Sequence, residues 1–329
     1  MKRPGADERI VAWLREGQGV SVSGEELARR LGCSRAAVWK RVAALREQGY
    51  RIEGRPSGGY ALVGAPDRVG PAEIAPHLTG TWRDVHWFDE IDSTQRVARD
   101  LARAGAPEGT VVVAERQTAG RGRLGRSWHA PRGVNLYCSI VLRPPLAPAT
   151  VPQLALVCGV AAAAAIAEET DLRPAIKWPN DVLLERRKVV GVLVEMESEM
   201  ERVHHAIPGI GVNLNEPQSA FPRDLQGKAT SLLAVTGRRV DRAAFAARLL
   251  AELEARYGRF LSSGFSSVRA EWESYSSLTG VEVQIVSPEG ERSGVVLGVD
   301  DDGALRLRRA DGEVVRVIAG EVSVRGGYA

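Results

Sequence analysis

The segment "GRGRLGRSW", Gly120–Trp128, fits two nucleotide-binding patterns at once. Gly120, Gly122 and Gly125 match the dinucleotide fingerprint G-x-G-x-x-G. Gly120–Ser127 nearly matches the P-loop, with Arg126 in the place of its lysine. Either match would make the fold an alternating α/β one. Both need a strand before the glycines and a helix opening at their end, because the helix N-terminus holds the phosphate. "TVVVAERQ", Thr110–Gln117, supplies the strand. The segment that follows, "RSWHAPRGVNLY", carries Pro131 and Gly133 and runs into another strand. Both matches therefore fail on context. What is left is a loop whose glycines let backbone N–H groups approach a ligand, fringed by Arg121, Arg123 and Arg126. Guanidinium groups pair bidentately with phosphate and carboxylate oxygens. The loop suits a clamp on an acyl-phosphate compound, and a solvated basic loop is the alternative.

Working outward, "VNLYCSIVLRP", "IKWPNDVLLE", "KVVGVLVEME" and "RVHHAIPGIGVNLN" read as strands of a sheet covered on one face. "VPQLALVCGVAAAAAIAEET" predicts a buried helix, and "DRAAFAARLLAELEARYGRFLSSG" an amphipathic one. Strands in consecutive runs make the region from Trp82 to Trp272 α+β. After it come "VEVQIV", "SGVVLGVD", "ALRLRR", "EVVRVIAG" and "VSVR", short strands with turns at "SPEG", "DDDG" and "ADG". That pattern predicts an SH3-like β-barrel.

The first residues differ in character. "ERIVAWLRE" carries a helical stripe of Ile10, Val11 and Leu14. "SGEELARRLG" opens with Ser23 and Glu26 in capping-box spacing and closes with Gly32. "SRAAVWKRVAALREQG" starts at Ser34, a plausible N-cap, and buries Val38, Val42 and Leu45. "YRIEGRPSGGYALVG" is strand, Pro-Ser-Gly-Gly turn, strand. Together these predict a winged helix-turn-helix, with the helix after Ser34 as its recognition helix. Arg35, Trp39, Lys40 and Arg46 lie off the buried stripe, and Arg51 and Arg55 sit on the wing. A small helical interaction domain with solvated charges is the alternative. "GAPDRVGPAE", Gly64–Glu73, predicts a linker. The expected domains are 1–65, 80–273 and 277–329.

The chain has 329 residues, 44% hydrophobic and 26% charged, which suits a multidomain globular protein. Its net charge of +3 is unevenly spread. Residues 1–65 hold 12 Lys+Arg against 7 Asp+Glu, and the remainder 32 against 34. The basic first segment implies an anionic partner. The N-terminus lacks the apolar core of a signal peptide, and the longest apolar run, Leu154–Ala167, is short for a membrane span. Cys33, Cys138 and Cys158 are scattered, as expected of reduced thiols in the cytoplasm. His204 and His205 are adjacent on a strand and point to opposite faces, so they are a poor metal pair.

Four motifs then occur in a telling order: "IDSTQ", "RQTAGRGRLGRSW", "IKWPNDVLLERRKVVGVLVE" and "GIGVNLN". In that order and spacing the chain resembles the biotin–protein ligases. Its N-terminal winged helix makes it similar to the bifunctional type that also represses the biotin operon. The resemblance implies a central α+β domain like class II aminoacyl-tRNA synthetases and an SH3-like C-terminal barrel. It implies that biotin and MgATP form biotinyl-5′-AMP, which acylates one lysine of a biotin carboxyl carrier protein. ATP, magnesium and biotin enter as substrates, with no tightly bound prosthetic group.

Residue by residue, the resemblance places biotin contacts at Ser93, Thr94, Gln95, Gln117, Arg121, Gly122, Arg123 and Lys188. Lys188, Arg123 and Arg121 are the catalytic cations. Trp128 closes over the ligand, and with Arg126, Asn180 and Asp181 it forms the ATP side, Asp181 taking magnesium. Gln95 replaces the family's commoner Asn, which puts its direct contact with biotin in question. DNA contacts fall to Ser34, Arg35, Trp39, Lys40, Arg51 and Arg55. Operator DNA, the carrier protein and a ligand-promoted homodimer are the implied partners, with no membrane.

The chemistry agrees with these residue types. A neutral ureido ring needs a few placed hydroxyls and amides in an apolar pocket. Joining a carboxylate to an α-phosphate needs cations. Taken singly, each motif has a plainer reading: Ser93-Thr94 as a helix cap, "WPN" as a turn, Lys188 as a surface lysine. Two other functions stay open: a regulator that senses biotin or its adenylate without ligating, and a lipoate ligase.

Overall fold

The computed structural model describes residues 5–17, 19–55, 58–287 and 290–324. Its first elements are helices α1 (Ala6–Glu16), α2 (Gly24–Leu31) and α3 (Arg35–Glu47), then strands β1 (Arg51–Arg55) and β2 (Gly59–Gly64). The Ser23 hydroxyl accepts the Glu26 N–H at 3.0 Å, and Gly32 ends α2 in the left-handed region at φ 70°. Only half of the expected capping box forms, because the Glu26 carboxylate turns to Arg29 and Arg30. Ser34 caps α3 by accepting the Ala37 N–H at 3.2 Å. Ile10, Leu14, Leu27, Val38, Val42 and Leu45 close a small core of their own. α2, a tight Gly32–Ser34 turn and α3 form the helix-turn-helix, and the antiparallel pair β1–β2 forms the wing. Pro56 and Ser57 of the expected wing turn lie outside the described residues, as do Pro288 and Glu289 of "SPEG".

The expected linker is not free. After Gly64 the chain docks on the next domain through fully buried Val69 and Ile74, and folds a short helix, α4 (Pro71–Ile74). Asp67 accepts from Arg239 at 3.0 Å and from Arg242 at 2.8 Å.

The central part adds β3 (Val85–Phe88), α5 (Thr94–Arg103), β4 (Val111–Ala114), β5 (Leu136–Ile140) and α6 (Gln153–Thr170). It continues with β6 (Ala175–Lys177), β7 (Asp181–Leu184), β8 (Arg187–Ser198) and β9 (Val203–Val212). The helices α7 (Leu232–Thr236), α8 (Arg242–Ser263) and α9 (Ser266–Tyr275) complete it. The sheet order is β3-β4-β5-β9-β8-β7-β6, with only β3–β4 parallel among the described residues. "IKWPNDVLLE" is not one strand. It folds as the hairpin β6–β7, with Lys177 opposite Asp181 and Pro179 and Asn180 at the turn. The sheet is also not covered on one face alone. α6, α8 and α9 share the main core, while α5 packs Ala98 and Ala102 on the other face against Val112, Val141 and Ile207.

Pro148–Thr170 is long and apolar enough to cross a membrane by length and composition, with an 18-residue stretch of mean hydropathy 1.9, but 67% of that stretch is buried within the protein. A helix enclosed by a sheet and two helices has no polar face to present.

The last strands are β10 (Glu282–Ser287), β11 (Gly290–Val299), β12 (Leu305–Arg308), β13 (Val314–Val317) and β14 (Glu321–Val324). Their order is β13-β12-β11-β10-β14, all antiparallel. No pairing joins β13 to β14 among the described residues, so a C-terminal sheet stands where a closed barrel was expected. The whole is a mixed α+β chain with an N-terminal helix-turn-helix and a C-terminal β-sheet domain.

Candidate active site

The glycine–arginine loop makes no helix of helix-turn length. One short 3-10 turn spans Arg123–Gly125, with Leu124 at φ 55° and mostly exposed. The loop holds itself with backbone bonds: Gly122 N–H to Arg126 C=O at 2.7 Å and Trp128 N–H to Gly120 C=O at 2.9 Å. It lies over the sheet where β8 and β9 bring Gly191 opposite Gly211. A Cβ at either glycine would stand 2.6 or 2.5 Å from the Trp128 ring. Glycine there seats the indole on the backbone, a role the sequence reading had not assigned to Gly191 or Gly211.

Beneath the loop is a cleft lined in part by the N-terminus of α5. Ser93 takes the N-cap position without a capping bond, so the plain capping reading of its hydroxyl does not hold. Thr94 donates its N–H at 2.8 Å and its hydroxyl at 3.1 Å to the Gln117 side-chain oxygen. Ser139, unmarked in the sequence reading, shares its one hydroxyl hydrogen between Thr94 Oγ1 at 2.9 Å and Gln95 Oε1 at 3.2 Å. Gln95 lines the cleft, yet its amide N–H groups go to the Leu193 and Ile207 carbonyls, and its oxygen accepts from Ser139. Gly209 leaves room for it, since a Cβ there would stand 2.0 Å from Gln95 Oε1. Gln95 thus braces the wall with its polar atoms already committed.

Two recesses meet under the loop. The first is lined by Ser93, Thr94, Gln117 and Arg121, and the second by Asp181, Lys177, Phe221 and Lys228. Gly122, Arg123, Trp128, Asn180 and Lys188 line both. On this shared wall Lys188 Nζ stands 2.7 Å from Asp181 Oδ1 and 5.3 Å from the Trp128 ring centroid. Arg123 donates to Asn180 Oδ1 at 3.0 Å and reaches the Gly320 carbonyl at 3.5 Å. Burial lowers the Arg123 pKa, though a guanidinium stays charged. Arg126 pairs with Glu321. β14 therefore closes the second recess, a contribution of the C-terminal sheet that sequence reasoning missed.

Lys177 was also missed, although it stands inside "IKWPND". Burial pulls its pKa below the usual lysine value, partly countered by Asp181. Asp181 is the one predicted metal ligand, and no group of three or more His, Cys, Asp or Glu that could hold a metal occurs among the described residues. His204 and His205 face Glu199 and Glu197 instead. Cys138 and Cys158 are buried free thiols, Cys138 pushed up to about 12 by burial, so they stay protonated.

The expected DNA-facing residues lie apart from the cleft, on the helix-turn-helix. Arg35, Trp39, Lys40 and Arg51 are exposed, Trp39 at 60%. Arg46 is exposed off the buried stripe as well, and its Nε donates to the Ile52 carbonyl at 2.8 Å, fastening α3 to the wing. The Arg55 side chain lies outside the described ones.

The family models agree with this layout. An HTH domain matches residues 7–61, the biotin/lipoate A/B protein ligase family matches 87–213, and the biotin protein ligase C terminal domain matches 279–325. The fold and cleft thus define a ligase of the biotin/lipoate class with an appended helix-turn-helix. The bifunctional ligase/repressor BirA of Bacillus subtilis (strain 168) is 40% identical over 293 residues, covering 88% of this chain and 90% of the relative. The Escherichia coli (strain K12) protein of the same name is 33% identical over 318 residues, covering 96% of each. A biotin protein ligase from Aquifex aeolicus, solved in complex with biotin and ATP, superposes with TM-score 0.65 at 32% identity, covering 74% of this chain and 99% of that one. The chain belongs to the family of bifunctional biotin ligase/repressors.

Proposed function

We propose that the cleft forms biotinyl-5′-AMP and passes the biotinyl group to a carrier-protein lysine. The observation that carries this reading is the wall shared by two recesses, because it puts Arg123, Lys188 and Asn180 where two ligands would meet. The first recess suits biotin: hydroxyls and the Gln117 side-chain amide N–H for the ureido ring, beside an apolar floor. The second suits ATP, with Arg126, Trp128, Asn180 and Asp181 around it.

A biotin carboxylate oxygen attacks the α-phosphorus, the bond to the β-phosphate oxygen breaks, and pyrophosphate leaves. Lys188, Arg123 and Arg121 offset the repulsion between the two anions and the charge that builds on the phosphate. In the second step the carrier's lysine amine attacks the acyl carbon and AMP departs. Magnesium arrives with ATP. Phosphate oxygens and water would supply most of its ligands and Asp181 one, Glu321 of the same recess being paired with Arg126.

The same chain represses transcription. Ser34, Arg35, Trp39, Lys40 and Arg51, with Arg55, are the proposed operator contacts. Bound adenylate orders the Arg121–Trp128 loop and favours a homodimer, which sets two recognition helices on two half-sites. The functional domains are taken as 1–65, 80–273 and 277–329, the second like class II aminoacyl-tRNA synthetases and the third an SH3-like module short of full closure. A cytoplasmic setting fits the free thiols.

The test is incubation with labelled ATP and either biotin or lipoate. Pyrophosphate release with biotin alone supports the reading. Release with lipoate alone makes the chain a lipoate ligase, and release with neither leaves a sensor.

A further inference from the structure

Arg242 opens α8 and is fully buried, far from either recess in sequence. Its Nε donates to Asp67 Oδ1 at 2.8 Å, and its Nη2 meets both the Asp67 carbonyl and Glu115 Oε2, the latter at 2.9 Å. The other Glu115 oxygen accepts the Val69 N–H at 2.9 Å. The segment that carries the helix-turn-helix is thus pinned by two groups of the central domain. On its other side Glu73 accepts from Tyr50 and stands 3.8 Å from Arg15, both of the helix-turn-helix.

The chain of contacts also runs the opposite way. Arg242 Nη1 donates to the Asn135 carbonyl at 3.1 Å. The Asn135 amide donates to Glu216 Oε2 at 2.8 Å, and Glu216 Oε1 meets His129 Nε2 at 2.8 Å. Asn135 is 0% and Glu216 1% exposed, so the Asn135 amide N–H and the Glu216 carboxylate depend on each other for a partner, while Asn135 Oδ1 is held by the Leu214 N–H at 2.9 Å. His129 lines the second recess and directly follows Trp128.

The structure assigns Glu216 and Arg242 as positioning residues that hold the His129 end of the ligand loop and tie it, through Asp67 and Val69, to the segment bearing the helix-turn-helix. Coupling between distant sites is carried by hydrogen-bond networks of this kind when they have two discrete arrangements. Closing the loop on a ligand then tightens segment 66–74, and the orientation of the DNA-binding helices follows within one protomer. This rests on the reading of the cleft as the biotin and ATP site, and it is separate from any dimer.

Hydrogen exchange on the full chain, with and without biotin plus MgATP, tests it. In the wild type, ligand should slow exchange in the 120–129 loop and also at Val69, Glu73 and Ile74. Glu216→Leu should keep loop protection at saturation and lose it at 66–74. It should raise KM for ATP about tenfold, with kcat within a factor of about three, the range of ordinary coupling. Glu216→Gln, which retains hydrogen bonds to both neighbours, should restore both readouts. Asp67→Ala, at the half-exposed end, keeps the test alive should the Leu variant not fold, and should lose the 66–74 response with kcat unchanged. Loop protection without any response at 66–74 in the wild type overturns the coupling alone. Absence of protection at both segments overturns the reading of the cleft and the coupling together. An undiminished 66–74 response in every folded variant also overturns the coupling.

Discussion

The ligand loop and the recognition helix are both arginine-rich, and each mixes fixed cations with free ones. In the loop, Arg123 is fixed by Asn180 and Gly320, and Arg126 by Glu321, while Lys188 nearby is held by Asp181. In α3, Arg41 and Arg46 are taken by Asp7 and the Ile52 carbonyl. Arg35 and Lys40, like Arg121 of the loop, have no side-chain hydrogen-bond or ion-pair partner among the described residues. A group that stabilises charge during a reaction must already be in place when the charge appears, so its rotamer freedom is lost at folding. DNA phosphates form a regular array that long, mobile side chains can reach, and the favourable term there is counterion release. The comparison separates cations whose position matters from cations whose charge suffices.

The largest expected effect tests the first kind. Lys188→Ala should lose roughly 3–4 kcal/mol of transition-state stabilisation, about 10²–10³ in rate, with folding kept. Pyrophosphate exchange measures it. A loss of only a few-fold would place Lys188 with the surface cations and erase the distinction.

Next is Arg123→Gly, which removes the bond to Asn180 and adds backbone freedom to the loop. Adenylate should escape faster than its synthesis slows, by about tenfold for the loss of one charge-assisted contact. Biotin appearing on a bystander protein reports the leak. A bystander free of biotin would mean that Arg123 is not what retains the intermediate.

The second kind of cation should behave more gently. Arg35→Ala and Lys40→Ala should each weaken DNA binding about uniformly across sequences and reduce the salt slope by about one. Titrations of an operator fragment at several salt concentrations decide this. Loss confined to one base position would instead make that residue a base reader.

The smallest effect sharpens the boundary at Lys177, a half-buried cation in the second recess. Its folded pKa is depressed chiefly by burial, so its charged form disfavours the folded state at every pH below that value. The penalty fades as pH rises from the depressed pKa to the ordinary lysine value of the unfolded chain. Lys177→Met should therefore raise Tm slightly at neutral pH, with the gain shrinking in alkali, while KM for ATP rises. A Tm gain that grew with pH would have the wrong sign. An unchanged KM would remove Lys177 from the nucleotide site.

Local decisions can be read from the residues alone. Pro131 and Gly133 ruled out a helix after the loop, Ser23, Gly32 and Ser34 marked helix ends, and the cluster of arginines and glycines marked the ligand loop. Each rests on backbone preferences that act within a few residues. Tertiary structure alone decided which polar groups were free. Gln95 and Arg46 have the chemistry of contact residues but are consumed by the backbone carbonyls of Leu193, Ile207 and Ile52. Lys177, Ser139 and β14 join the site only because β6, β5 and the C-terminal sheet converge there. The docking of Asp67 and Val69, within a stretch with the composition of a linker, follows from a buried Arg242 and Glu115 that lie 175 and 46 residues away in the chain. A buried donor must find an acceptor wherever the fold provides one, and sequence distance places no limit on that search.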